Sequence, residues 1–484
     1  MKNYSQSMSK EVMWDLSIAH SIKNITLKMH EPIRKGSALN CGEAYEGEHS
    51  GYGKIIFDGE KYRLYYRGSG ANDGVWQTEH GDHGLWCVAY SYDGKTFEKP
   101  CLDLFEYNGS TKNNIVMKLD GEFIDNFSIF LDSAPHCPPE EKYKALMGVW
   151  AKEGIYLRLY TSADGLRFNF ARNVDVRGKF DSLNICFWDE NIQKYRLYLR
   201  DYHVLDQSKR IDCETETHVR DIQVAFSEDF LTWSDPSPLD YRNSQYEFQL
   251  YTNNIQRYPD TDIFIGMPTR YVDRSADTKN YRHLPDLLGF RPMLTEKYGR
   301  TGTAITETML MTSRDGICFD RTQEAFYTPG LENGENWAYG DGYFAYGMIK
   351  TSSDFEGEPD EISLYVTKGY RSRPVNFERY TLRMDGFFSW RADYEGGEAI
   401  TKPFTFEGSE LHLNFSTSAL GYLRLEILDE DGNAIEGYDS GRLFGNSTDR
   451  PCDFEKPLSD LVGKPIRFKL SMRDADLYSF KFID

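Results

Sequence analysis

The sequence predicts an all-β protein, a five-bladed β-propeller followed by a C-terminal β-sandwich. Three observations predict it. A hairpin motif recurs four times along the chain. A tyrosine-rich strand pair precedes each copy and appears a fifth time further on. Past Arg383 the spacing of strands and turns changes. The composition agrees: aromatics make up 15% of 484 residues and there are 40 glycines, which suits strands and turns rather than a disordered or coiled-coil chain.

The motif is Ser-x-Asp-Gly/Phe-x-x-aromatic, with its serines at Ser91, Ser162, Ser227 and Ser313. Asp93, Asp164, Asp229 and Asp315 cap a turn through their own backbone. Gly94, Gly165 and Gly316 supply positive φ, with Phe230 in that place once. The motif is read as structural. Upstream lie the strand pairs 54–57 with 62–67, 127–131 with 143–149, 183–189 with 195–200, 254–259 with 263–268, and 343–349 with 361–366. Each unit therefore holds about four antiparallel strands, the size of a propeller blade. Residues 274–303, rich in charge and proline, read as a loop inserted over one face. The expected division is 1–40 as a segment packing on the propeller, 41–383 as the propeller, and 384–484 as the sandwich. Strands at 399–406, 410–415, 421–428 and 465–472, with a hairpin turn at Asp429-Glu430-Asp431-Gly432, define that last unit, which reads as a scaffold packed on the propeller rather than a carbohydrate-binding module because its aromatics are not grouped.

A formal charge of -20 argues against binding to a phosphate backbone or an anionic membrane. No membrane-length apolar run exists, and no apolar core follows the basic start Met1-Lys2. Eight scattered cysteines without a CxxC pair suit free thiols in a reducing cytoplasm, where the protein is expected to reside. No GxGxxG, P-loop, GxSxG or HExxH pattern is present. No cofactor is therefore required, although the reading leaves room for a calcium ion on the propeller axis.

In a propeller, residues just before the first strand of a blade and just after its second strand ring one funnel. Before the first strands stand Glu48, Asp125, Asp181, Asn253, Trp337 and Asp341; after the second strands stand Arg67, Arg200 and Arg270. Glu48, Asp125 and Asp181 suit acid–base chemistry, while Asp341 and Asn253 suit contacts to a substrate. The arginines suit recognition of a carboxylate, sulfate or phosphate, or neutralise the funnel's own acids. The tryptophan suits stacking on a sugar face.

The predicted architecture resembles the glycoside hydrolases of families 43 and 32. It is similar also to bacterial propeller–sandwich proteins described only as hydrolase-like, with stretches such as Asp181-Ser182-Leu183-Asn184. The hairpin motif resembles a degenerate Asp-box. Arg200-Asp201 is similar to the Arg-Asp-Pro motif of family 32, with Tyr202 in place of proline, and that family's Trp-Met-Asn-Asp-Pro-Asn signature is absent. The resemblance implies hydrolysis of a glycoside or short oligosaccharide by paired carboxyl groups, ~6.5–9.5 Å apart for inversion or ~5–5.5 Å for retention. The family 43 arrangement of base, tuning Asp and Glu acid maps onto Glu48, Asp125 and Asp181 on three adjacent blades. Because the third is an Asp, Glu307 in Thr306-Glu307-Thr308 is the alternative acid. Two other readings stay open: a non-catalytic carbohydrate-binding propeller, and a phosphorylase or lyase. The sugar, the linkage and the oligomeric state are not legible.

Overall fold

The computed structural model describes residues 7–69, 84–119, 123–151, 154–211, 216–242, 245–274, 278–286, 289–298, 302–370 and 374–484. The protein is nearly all β. Among the described residues its α-helices are Thr278–Tyr281 and Phe290–Tyr298, both within the expected insertion. Neither is long and apolar enough to cross a membrane.

Sheets follow one another in the order of the repeats. The first joins Gly51–Phe57, Tyr62–Gly68, Leu85–Ser91 and Ile115–Lys118 in sequence. The second joins Phe123–Leu131, Tyr143–Ala151, Gly154–Ser162 and Asn169–Asn173, and the third Ile185–Asp189, Lys194–Val204, His218–Ser227 and Ser237–Pro238. The central strands are buried on both faces, which explains runs such as Leu64-Tyr65-Tyr66 in place of clean alternation. The fourth repeat is broken: Phe264–Gly266 and Thr269–Asp273 belong to different sheets, with Pro268, which cannot donate to a ladder, between them. The fifth sheet contains Tyr343–Phe344, Ile349–Thr351, Glu361–Lys368 and Val375–Arg383. Its outer strand comes from far upstream: Ile33–Cys41 pairs with Val375–Arg383. Lys54 in the first sheet forms a parallel bridge with Tyr346 beside the fifth.

The recurring turn is built as its residues dictate. In the second sheet Ser162 Oγ accepts from the Gly165 amide at 2.9 Å, and Asp164 Oδ1 accepts from the Leu166 and Arg167 amides at 2.8 Å each. Burial alone would raise the Asp164 carboxyl, but those amides outweigh it and hold the group below its ordinary value. The turns also join the sheets. Tyr65 Oη donates to the Gly165 carbonyl at 2.9 Å, Tyr198 Oη to Gly316 at 2.8 Å, and Tyr365 Oη to Gly94. The tyrosine of one sheet therefore reads the turn of the next, and the fifth sheet reads the first. Where the turn carries Phe230 (φ 62°), the matching position is Leu146, and both lie in one apolar cluster.

A Cβ at Gly165 (φ +71°) would lie 2.6 Å from Tyr65 Oη and 2.8 Å from Arg63 Nη1. Gly165→Ala is expected to destabilise by about 2–4 kcal/mol, from left-handed strain plus overpacking. Adding Tyr65→Leu should recover part of that loss in a denaturation double-mutant cycle.

The C-terminal unit is one hydrogen-bonded sheet. Glu410–Asp429 pairs with Ile466–Ile483 from Glu410↔Ile483 to Asp429↔Ile466. The other edge of Ile466–Ile483 is taken in turn by Gly397–Thr401, Phe388–Ala392 and Lys10–Val12. Trp390, Phe404, Leu425, Phe468 and Phe480 share its core. The segment before residue 41, expected to pack on the propeller, is instead divided. Ser7–Met8, Lys10–Val12, Ala19–Lys23 and Thr26–Met29 join C-terminal strands, and Ile33–Cys41 joins the fifth sheet. Asp385 (φ 60°, buried) ties these parts together. It accepts from Lys10 Nζ at 2.8 Å, Tyr258 Oη at 2.7 Å and Ser479 Oγ at 2.6 Å.

Candidate functional site

The starts of the first strands and the ends of the second strands converge on a cluster of tyrosines. Tyr343, fully buried, lies 5.4 Å from Tyr52, 5.7 Å from Tyr370, 6.0 Å from Tyr339 and 6.1 Å from Tyr251, ring centre to ring centre. Tyr339 Oη donates to Tyr251 Oη at 2.7 Å. Tyr343 Oη meets no hydrogen-bond partner among the described residues. Burial, then the neighbouring phenols, push its hydroxyl pKa well up. The loop Ala338-Tyr339-Gly340-Asp341-Gly342 can cross this cluster because Gly340 (φ +106°) has no side chain; a Cβ there would lie 2.3 Å from Tyr370 Cδ1.

Three buried arginines frame the tyrosines. Arg67 lies over the Tyr52 ring at 4.4 Å and donates to Tyr370 Oη at 2.8 Å. Arg200 lies over Tyr251 at 4.5 Å, donates to the Tyr251 carbonyl, and reaches Asp181 Oδ2 from Nη1 at 3.2 Å. Arg220, not singled out by the sequence, lies 5.0 Å from Tyr271 and 5.6 Å from Tyr251. Arg270 belongs elsewhere: it pairs with Glu307 Oε1 and donates to the Gln323 carbonyl at 2.8 Å.

The candidate carboxyl groups differ in setting. Asp181 is part-exposed; Oδ2 meets Arg200, and Oδ1 meets no hydrogen-bond partner among the described residues. Asp341 is buried. Its Oδ2 accepts from the Ala338 amide at 3.2 Å, and Oδ1 lies 3.8 Å from Lys368 Nζ. Burial pushes its carboxyl up to about 6, against the opposing pull of Lys368, the Ala338 and Trp337 amides, and Arg291. Glu307 stands on the opposite strand face from Thr306 and Thr308, whose hydroxyls donate to the Asp341 and Gly342 carbonyls. Glu48 is half-buried. Its neighbour Glu46 is fully buried and occupied by Tyr66, Lys99 and the Glu43 amide. The Asp125 side chain lies outside the described residues.

Trp337 (φ 57°) is half-buried and donates from Nε1 to the Gly330 carbonyl at 2.8 Å. Its backbone is held by the insertion: Arg291 on helix Phe290–Tyr298 donates to the Trp337 carbonyl at 2.8 Å and to Asn336 at 2.6 Å. Asn253 is buried and joins the third and fourth repeats through the Leu183 carbonyl at 3.0 Å. For the axial calcium, the described residues contain no group of three or more His, Cys, Asp or Glu side chains placed to hold a metal ion.

No family model matches the chain, and no curated protein matches it. Solved structures do. An N-acetylgalactosamine deacetylase from F. plautii, in complex with blood group B trisaccharide, is 11% identical with a TM-score of 0.45, over 75% of this chain and 96% of its own. A glycosyl hydrolase from Bacteroides ovatus is 13% identical with a TM-score of 0.42, over 73% and 94%. A third structure concerns the GH130 family of mannoside phosphorylases, said to contain glycoside hydrolases that target β-1,2 mannosidic linkages in Candida mannan. It is 12% identical with a TM-score of 0.42, over 73% and 94%. Identities and scores this low carry no activity across to this chain.

Proposed function

We propose that the five repeats close as a five-bladed β-propeller and that the tyrosine-lined cluster is the active-site funnel of a carbohydrate-active enzyme that cleaves a glycosidic bond. Asp341 carries the reading: a buried carboxyl near 6 beside edge-packed tyrosine rings is a proton donor poised for work close to neutral pH. Closure is supported by the Tyr365–Gly94 contact and the Lys54–Tyr346 bridge, which put the fifth sheet against the first.

In this reading the Asp341 proton goes to the leaving oxygen as the glycosidic C–O bond breaks. Asp181 serves the anomeric carbon, taking a proton from an attacking water or attacking directly. Arg200 orients the group through Oδ2. Trp337 forms a wall for the sugar, Asn253 fixes the floor, and Glu48 lines the rim. Glu307 and Arg270 form a structural pair. This revises the sequence-based choice of Glu307 as the acid. The substrate is a glycoside or short oligosaccharide, handled without a redox cofactor.

The Arg67–Tyr370 contact at 2.8 Å, with His49 5.7 Å from the Tyr370 ring, favours a second reading, a lyase in which a tyrosine removes a proton beside a cation. A panel of aryl glycosides and oligosaccharides, run with and without phosphate, separates the cases. Hydrolysis without phosphate that falls about 100-fold or more in Asp181→Asn supports the first reading. Phosphate-dependent turnover makes the enzyme a phosphorylase. An unsaturated product points to the lyase.

A further inference from the structure

Arg200 and Arg220 keep hydrogen-bonding capacity that their neighbours among the described residues do not use. Strand Lys194–Val204 pairs with His218–Ser227 in the register Arg200↔Ile222 and Tyr202↔Arg220. Directly opposed residues and residues two apart share a sheet face, so the two arginines are diagonal neighbours on one face, within reach of long side chains. Both are deeply buried, at 3% and 5% exposure. Both guanidinium groups lie over the ring of Tyr251.

Each has one carboxylate partner at the edge of the site. Arg200 meets Asp181 at 3.2 Å, and Arg220 meets Glu216 at 3.0 Å and Gln249 Oε1 at 2.9 Å. Yet the Nε–H of both arginines finds no acceptor among the described residues, although both atoms are buried. An orphaned guanidinium N–H costs stability, and two on adjacent like charges compound the cost. An oxyanion is the ligand chemistry that satisfies both, because carboxylates and phosphates accept several N–H groups from guanidinium forks.

We propose that Arg200 and Arg220 form an oxyanion-binding subsite in the funnel, taking the carboxylate of an acidic sugar or an inorganic phosphate. The proposal rests on the reading of the funnel as the active site and adds its substrate class. The tyrosines hold the sugar ring or exclude water, and the two Nε–H groups select the charge. Among neutral and acidic versions of one sugar, the acidic one is preferred.

Titration calorimetry on the full chain tests this with sodium glucuronate, glucose and inorganic phosphate at fixed ionic strength. The expected result is saturable binding of glucuronate or phosphate, at least about 10-fold tighter than glucose, and a loss of about 10-fold or more in Arg220→Gln. Arg220→Lys, which keeps the charge and loses the fork, should fail to restore it. If Arg220→Gln does not fold, Arg200→Lys and the wild-type comparison carry the test. Preference for glucuronate identifies the source as a sugar carboxylate; preference for phosphate identifies a free oxyanion. Equal binding of glucose and glucuronate with no phosphate binding, or full affinity in folded Arg220→Gln, overturns the subsite. Turnover of neutral glycosides with no anion binding overturns it while leaving the enzyme reading intact. Anion binding without turnover of any glycoside keeps the subsite and removes that reading.

Discussion

Asp341→Asn is expected to lower kcat by about 10²–10⁴-fold and to change how stability depends on pH. The folded-state pKa, about 6, lies above the ordinary 3.8. Between these values the folded protein holds a proton that the unfolded chain releases. The stability tied to this group is therefore fully present below 3.8 and is lost as pH rises through 6. A gap of that size corresponds to about 3 kcal/mol. The wild type should lose most of that between pH 4 and pH 7 through this one carboxyl, and Asp341→Asn should not. Chemical denaturation at the two pH values measures the difference, and kcat/KM against pH should fall above about 6 in the wild type. A variant with full activity and a wild-type stability profile would remove Asp341 as the acid.

Asp385→Ala is expected to cost about 3–5 kcal/mol, the range for removing one member of a buried ionic and hydrogen-bonded cluster. The carboxylate receives Lys10, Tyr258 and Ser479 from three distant parts of the chain, and its amide donates to Tyr258 Oη at 3.1 Å. Trp14 Nε1 adds a bond to the Asp385 carbonyl at 2.8 Å. Asp385→Asn should cost less, because Asn tolerates the left-handed backbone and keeps an acceptor. Urea denaturation followed by tryptophan fluorescence checks both. An Asp385→Ala variant as stable as the wild type would show that the junction is held by packing alone.

The turns were legible because their chemistry is local: Asp164 and Gly165 make the same bonds wherever a hairpin needs them. The ring around Tyr343 was not, because a tyrosine that lines a funnel and one that fills a core look alike in an apolar strand. Arg220 escaped for another reason. It sits on a third strand, where Lys194–Val204 and His218–Ser227 continue together beyond the regular hairpin, whereas propeller topology points to residues before first strands and after second strands. The partial signal was the polar run Arg200-Asp201-Tyr202-His203, too long for an ordinary strand end. Asp341 was picked out as a sugar contact rather than an acid, since burial, not sequence, moves its pKa. The assignment of residues before 41 missed their strand partners because local pattern carries no trace of a pairing such as Lys10 with Lys481.

That pairing has a consequence for how the chain is made. Strand Lys10–Val12 leaves the ribosome long before its partner Ile466–Ile483, with nearly the whole of the intervening chain still to be made. At about 5–20 residues per second the wait is roughly half a minute to a minute and a half. Ile33–Cys41 waits about three-quarters as long for Val375–Arg383. Through that interval the early strands present open edges, a template for pairing with other nascent chains. The middle repeats can fold as they appear, but the two long-range seams close only after those repeats have been made. Chaperone demand during expression should therefore fall on the early strands Lys10–Val12 and Ile33–Cys41.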